Sequence, residues 1–197
     1  MLKSIETQIL ERVKRKDRGT LFFTDILKTR NPDAVRKALE RLVKSGELER
    51  VATGIYVRPV IDDHIGKVLP GIEAIAVAIA KRDRATIIPT GSYAMYKLGL
   101  TTQVPLNIVF YSDTSARKIK IGKQTITFKK ASSKNLAFVG QISTLAIQAL
   151  RTIGKDQATD EEIKQLKKIL KTENPKHLQH DLQLAPVWIR KMIATNE

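Results

Sequence analysis

Arg30, Asn31, Arg36, Lys37 and Arg41 fall within a stretch of twelve residues. Guanidinium and ammonium groups at such spacing can grip phosphates, while Arg, Lys and Asn can also pair with base edges. On a helix, at about 100° per residue, Asp33, Lys37, Glu40, Arg41 and Lys44 point one way and Arg36 lies on the flank. Val35, Ala38, Leu39, Leu42 and Val43 follow the i, i+3, i+4, i+7, i+8 pattern of a single buried stripe, so the charged face must look outward. A second basic group alternates along a strand-like segment. Lys118, Lys120 and Lys129 lie on the outward register of Arg117–Ile121 and Thr125–Lys130, together with Thr125 and Thr127. Lys123 is at the tip and Lys130 at the end.

Other chemistry is poorly provided for. There is no cysteine, which removes disulfides, thiolate metal sites and thiol nucleophiles. His177 and His180 have half-site spacing, yet no further ligand completes a metal site, and surface histidines are the simpler account. Gly91-Ser92 at a helix start followed by a strand resembles the opening of a nucleotidyltransferase site. That chemistry needs paired carboxylates for divalent metal, whereas the strand offers only Asn107, with Asp113 alone beyond its end. Ser92 is therefore expected to cap a helix. No catalytic residue, metal or cofactor is expected. Tyr56, Tyr93, Tyr96, Tyr111 and Trp188 are scattered through core-like contexts and do not make a stacking set.

The elements that would position the first group read clearly. Ser4 can cap a helix with Ile5, Ile9 and Val13 inward, and Phe22-Phe23 lead to Thr24 as the N-cap of a short helix, Asp25 to Lys28, ending near Thr29. Asn31 caps the next helix with Pro32 at its first position, and Gly46 ends it. Leu48 to Val51 and Ile55 to Val57 flank the tight turn Ala52-Thr53-Gly54, with Pro59 as the stop. Three helices and a hairpin form the winged helix-turn-helix order, in which the third helix enters the major groove and the wing approaches the backbone. Thr24, Arg30, Asn31, Arg36, Lys37 and Arg41, with Arg50, Thr53 and Arg58 from the wing, are the expected contacts to double-stranded DNA.

Residues 61–70 turn polar and are expected to be a linker between a 1–60 domain and a 71–197 domain. The second domain reads as a helix over Gly71 to Arg82, a strand at Ala85 to Ile88, a helix from Ser92 closed by Gly99, and a strand over Leu106 to Tyr111. The lysine-bearing β-hairpin follows, and a helical tail that includes a Thr159/Glu162 capping box. The fold class expected is α+β, a winged helix followed by a mixed α/β domain.

The chain of 197 residues carries a net charge of +15, which favours polyanionic partners. The first 70 residues hold 15 basic and 10 acidic side chains and the rest hold 20 and 10, so most of the excess lies in the second domain. The amino terminus lacks a signal-peptide core, and the most apolar run, Ile72 to Ala80, falls short of the ~20 residues that span a bilayer. A cytoplasmic protein with no membrane partner is expected.

Pro89-Thr90-Gly91-Ser92-Tyr93-Ala94, the run Leu98-Gly99-Leu100-Thr101-Thr102-Gln103-Val104-Pro105, and Arg117-Lys118-Ile119-Lys120-Ile121-Gly122 resemble the AbiEi family of bacterial type IV antitoxins. The wing sequence Gly54-Ile55-Tyr56-Val57-Arg58-Pro59 is similar to it too. The likeness extends to about Ser143 and fades in the tail. It implies a winged helix that represses its own operon and a second domain that antagonises a cognate nucleotidyltransferase-type toxin, in a phage-defence setting. The lysine group Lys118, Lys120, Lys123, Lys129 and Lys130 would then be the antitoxic surface. A stand-alone winged-helix regulator without a toxin is the competing expectation, and a nucleotidyltransferase-like enzyme the more distant one.

Overall fold

Helix α1 (Ile5–Lys14) begins where the Ser4 hydroxyl accepts the Thr7 backbone N–H at 3.1 Å, and it buries Ile9 and Val13 completely. These are features of a computed structural model that describes residues 3–28 and 30–194. The chain divides into two compact units, Met1–Ile79 and Ala80–Glu197. The division falls inside a helix, α3 (Ile72–Asp83), that follows the polar stretch.

In the first unit, strand β1 (Leu21–Phe23) follows α1, and helix α2 (Pro32–Lys44) is bounded by Asn31 and Ser45. The expected helix over Asp25 to Lys28 is not formed. Residues 24–28 are a run of turns closed by Ile26 N–H to the Phe23 carbonyl and Arg30 N–H to the Leu27 carbonyl, both at 3.0 Å. Thr24 caps no helix, and Thr29 lies outside the described residues. The physical reason is length: Phe23 is committed to a strand on one side, and Pro32 disfavours helical backbone at Asn31 on the other. The interval is too short to repay nucleation. Buried Leu27 and half-buried Ile26 hold the turns onto the core.

Strands β2 (Glu49–Ala52) and β3 (Ile55–Val57) form the expected hairpin, joined by Thr53-Gly54 with Gly54 at φ +73°. Strand β1 was not anticipated. It adds antiparallel to the other side of β3, giving the order β1-β3-β2, with Leu21 opposite Val57 and Phe23 opposite Ile55. One core joins Ile9 and Val13 to Phe22 and Leu27, the α2 stripe, Leu48 and Tyr56. Residues 61–70 are not an extended linker. β4 (Val60–Asp62) and β5 (Gly66–Val68) pair as a small hairpin, its turn held by Asp62 accepting from the His64 and Ile65 N–H groups. A Lys67–Glu49 ion pair at 2.5 Å ties that hairpin to β2.

The second unit is built on a four-stranded sheet of order β6-β7-β9-β8, from β6 (Ile87–Thr90), β7 (Asn107–Ser112), β8 (Arg117–Ile121) and β9 (Gln124–Lys130). β7 and β9 run parallel and the other pairs antiparallel. Helix α4 (Ser92–Lys97) sits between β6 and β7, and its N-cap is Gly91, not Ser92. Gly91 has φ +67° and ψ −150°, a conformation that only glycine adopts without strain. The short α5 (Ser133–Leu136) leads to α6 (Gln141–Ile153), α7 (Asp160–Leu170), α8 (Pro175–Leu184) and α9 (Val187–Ala194). The Thr159/Glu162 capping box forms as expected. Ala146, Ile147, Ala149 and Leu150 of α6 join Leu166 and Leu170 of α7 and Ile189 of α9 in a second core.

The N-terminus of α6 is capped from far along the chain. Glu173 accepts the Ile142 and Ser143 N–H groups at 2.7 and 3.1 Å. Asp181, fully buried, accepts those of Val139 and Gly140 at 2.9 Å and the Ser143 hydroxyl. A Cβ on Gly140 would stand 2.1 Å from Ser143 Oγ and 2.7 Å from the Glu173 carboxylate, so this position admits no side chain without displacing the cap.

Candidate nucleic-acid interface

The outward face of α2 owes its exposure to the completeness of the inward one: Val35, Ala38, Leu39 and Leu42 are all buried. Asn31 Oδ1 accepts the Asp33 and Ala34 N–H groups at 2.9 and 3.4 Å, which fixes the start of the helix. That also occupies the side chain, so Asn31 positions the helix and is not a free group for base contact. Arg36 donates to Asp33 at 3.4 Å and Glu40 at 3.1 Å, and the hydrogen bond to Asp33 leads the effects that raise its pKa above the ordinary value. Arg41 pairs through Nε with Glu6 of α1. Arg30 reaches Gln8 Oε1 at 3.4 Å.

Lys37 is exposed on the centre of this face and has no ion-pair partner among the described residues. Arg36 and Arg41 are roughly half and two-thirds exposed as side chains, and exposed ion pairs of this kind are screened and readily exchanged. Among the described residues, the face is thus a set of cations of which Lys37 and Lys44 have no ion pair and Arg36 and Arg41 are loosely held. The β2–β3 hairpin contributes exposed Arg50 from β2 and Thr53 from its turn. Thr24 stands beside that turn, its Cγ2 3.6 Å from where a Gly54 Cβ would lie.

Arg58 departs from expectation. It follows β3 as a half-buried residue, its carbonyl accepts from Gly19 N–H at 2.8 Å, and its Nε is buried without a hydrogen-bond partner. It belongs to the base of the hairpin, where Arg18 also bonds the Pro59 carbonyl at 3.0 Å. Its neighbour Pro59 is buried, so the chain turns into the unit here and carries Arg58 with it.

In the second unit, the register sorts the lysines. Lys118 lies opposite Thr127 and Lys120 opposite Thr125, while Lys129 adjoins Tyr111 on β7, so these three project from one sheet face. Lys130 adjoins buried Ser112 and projects from the other face, because side chains alternate along β9. Lys123 occupies the two-residue turn. The inward set is divided too: Ile126 and Phe128 are buried, while Ile119 and Ile121 on the edge strand are half-buried. Thr127, expected outside, is buried and donates to Asn107 Oδ1 at 2.7 Å, since β9 is a central strand.

The residues weighed for catalysis have structural partners. Asp113 accepts the Thr86 N–H at 3.0 Å, and Asn107 is held by Thr127. His180 Nδ1 lies 3.0 Å from Asp181 and His177 Nδ1 lies 4.0 Å from Glu173, but both carboxylates are committed to capping α6. Among the described residues no group of three or more His, Cys, Asp or Glu could hold a metal ion, and no helix is long and apolar enough to cross a membrane. Sequence reasoning missed the row of lysines on α7, whose context becomes visible only where α8 and α9 pack beside it.

A family of unknown function, DUF6088, matches residues 8–178. No curated protein sequence matches the chain. Among solved structures, the chain is similar to the Rv2827c protein from Mycobacterium tuberculosis, at 14% identity and a TM-score of 0.47, with 100% of this chain and 84% of that one covered.

Proposed function

The chain belongs to DUF6088, a family whose function is unknown, and we propose from its own residues that it is a winged-helix protein that binds double-stranded DNA and represses its own operon. We propose further that its second unit serves as an antitoxin against a nucleotidyltransferase-type toxin. The observation that carries the DNA reading is the placement of α2. Its apolar stripe is spent in a core shared with α1 and the β1-β3-β2 sheet, which leaves Lys37, Arg36 and Arg41 on the outward face of a helix followed by a hairpin, as the recognition helix of a winged helix would be. The helix that precedes the recognition helix in a regular helix-turn-helix is here a run of turns, and α1 braces α2 in its place through their common core.

The antitoxin reading rests on the resemblance to AbiEi. It is supported by the shared sheet face of Lys118, Lys120 and Lys129, three exposed cations with no ion pair among the described residues. Such a face suits an acidic or nucleic-acid element of the toxin system. The experiment pairs two assays on the full chain. Duplex DNA from upstream of its own gene is titrated by fluorescence anisotropy, and rescue from the neighbouring toxin is scored in cells. Lys118→Glu/Lys120→Glu/Lys129→Glu is expected to abolish rescue while operator binding persists, and full rescue by that variant removes the lysine face from antitoxicity. Tight operator binding with no neighbouring nucleotidyltransferase gene would favour the stand-alone regulator.

A further inference from the structure

Helix α7 carries Lys164 and Lys168, and Lys171 is its C-cap, so the three stand at i, i+4 and i+7 with Lys167 between them. Lys164, Lys168 and Lys171 are exposed and have no ion-pair partner among the described residues. Like charges at these spacings repel along a helix, and an acidic neighbour over the row would relieve that repulsion. Beside the lysines runs an open groove of about 580 Å³, floored by Ile163 and Leu170 of α7, Leu178 of α8 and Ile193 of α9. Asp160 marks one end and Lys171 the other, a span of three helical turns or about 16 Å.

We propose that this groove is a docking site for an acidic amphipathic helix of a partner protein, which lays apolar side chains on the aliphatic floor and a row of carboxylates against Lys164, Lys168 and Lys171. The cations are spread one turn apart and do not converge on a point, so they match successive carboxylates of a helix better than one small anion. A nucleic-acid backbone would satisfy the lysines but leave the aliphatic floor uncovered, because the lining holds no aromatic ring on which a base could stack. The floor is concave and flanked by α8 and α9, a shape that accepts a helix more readily than a lipid surface. Acidic Asp160 at the opposite end gives direction: the partner's carboxylates belong along Lys164 to Lys171, away from the first turn of α7.

The probe is a fluorescein-labelled synthetic peptide of two heptads, with leucines at i, i+3 and i+7 and flanking glutamates, titrated against the full-length protein by anisotropy. Binding is expected, and Lys164→Glu/Lys168→Glu/Lys171→Glu should weaken it by at least about tenfold, with the loss shrinking as salt rises. The same peptide with lysine in place of each glutamate should bind the triple variant in preference to the wild type. Circular dichroism of the variant checks that α7 persists, as exposed positions allow. Lys118→Glu/Lys120→Glu/Lys129→Glu should leave peptide binding intact. No binding by wild type, equal binding by the α7 variant, or equal loss in the sheet-face variant overturns the proposal. So does equal affinity for a peptide whose leucines are serines, or displacement by anionic phospholipid vesicles or duplex DNA at matched charge.

Discussion

Lys37→Ala and Arg41→Ala test the DNA reading through its salt dependence. Each phosphate contact contributes about 0.9 to the slope of log affinity against log salt on B-form DNA. Over a roughly fourfold rise in salt, from about 50 to 200 mM, one lost contact therefore means the variant loses about 3.5-fold less affinity than the wild type does, and two lost contacts about twelvefold less. Lys37 has no ion-pair partner among the described residues, so Lys37→Ala should show the single-contact change cleanly. Arg41 is held by Glu6, and truncating it also leaves an unpaired carboxylate near the groove. Arg41→Ala should accordingly weaken binding more than Lys37→Ala at low salt, and Glu6→Gln should tighten binding at every salt concentration. Anisotropy titrations of the full chain on a duplex of its upstream region supply the slopes. Both variants should melt within about 0.5 kcal/mol of wild type, since exposed substitutions rarely cost more. An unchanged slope in Lys37→Ala with wild-type affinity would take α2 out of the interface.

Further outcomes follow from the two cores and the α6 cap. Leu39→Ala should destabilise the first unit by about 2 to 5 kcal/mol, because Leu39 is fully buried beneath the outward face of α2, and, if that face binds DNA as proposed, should weaken DNA binding in proportion to the unfolded fraction near the melting point. Asn31→Ala should cost about 1 kcal/mol by freeing the first-turn N–H groups of α2, read by chemical denaturation. Burial pushes the Asp181 carboxyl upward, but Ser143, His180 and the Val139 and Gly140 N–H groups outweigh it. Its pKa lies below the ordinary value, and Glu173 is lowered likewise against its burial by the Ser143, Asn174 and Ile142 N–H groups. Carboxyls depressed on folding contribute stability that is complete above their unfolded values and is lost as pH falls through the folded ones. The melting temperature of the second unit should thus hold near neutrality and drop below about pH 4. Asp181→Ala should flatten that acid limb and cost about 3 kcal/mol at neutral pH by leaving buried donors unpaired.

Much of this protein was legible without coordinates because its signals are local. Ser4, Asn31-Pro32, Ser45-Gly46 and Thr159 with Glu162 mark helix ends by side-chain geometry that acts within one turn, and the α2 stripe encodes its buried face through period alone. The β8–β9 hairpin was equally readable from alternation around Gly122. The errors share a cause, which is dependence on distant partners. Leu21–Phe23 becomes a strand because β3 offers an open edge, and the expected helix at Asp25–Lys28 is lost between that strand and Pro32. Residues 60–68 pair with each other where polarity alone suggested a linker.

Residue types in this sequence by themselves determined that the chain is basic, lacks thiol chemistry, and presents cations on one helix and one hairpin. Which of those cations are available was decided only in three dimensions. Register placed Lys118, Lys120 and Lys129 together and sent Lys130 to the opposite face. Packing drew Arg58 inward, and Glu6 of a separate helix took Arg41. The α7 lysines acquired a groove only when α8 and α9, remote in sequence from Lys164, supplied its far walls. A side chain's charge is a property of the residue, but its freedom to bind depends on which neighbours the fold brings within reach of a hydrogen bond.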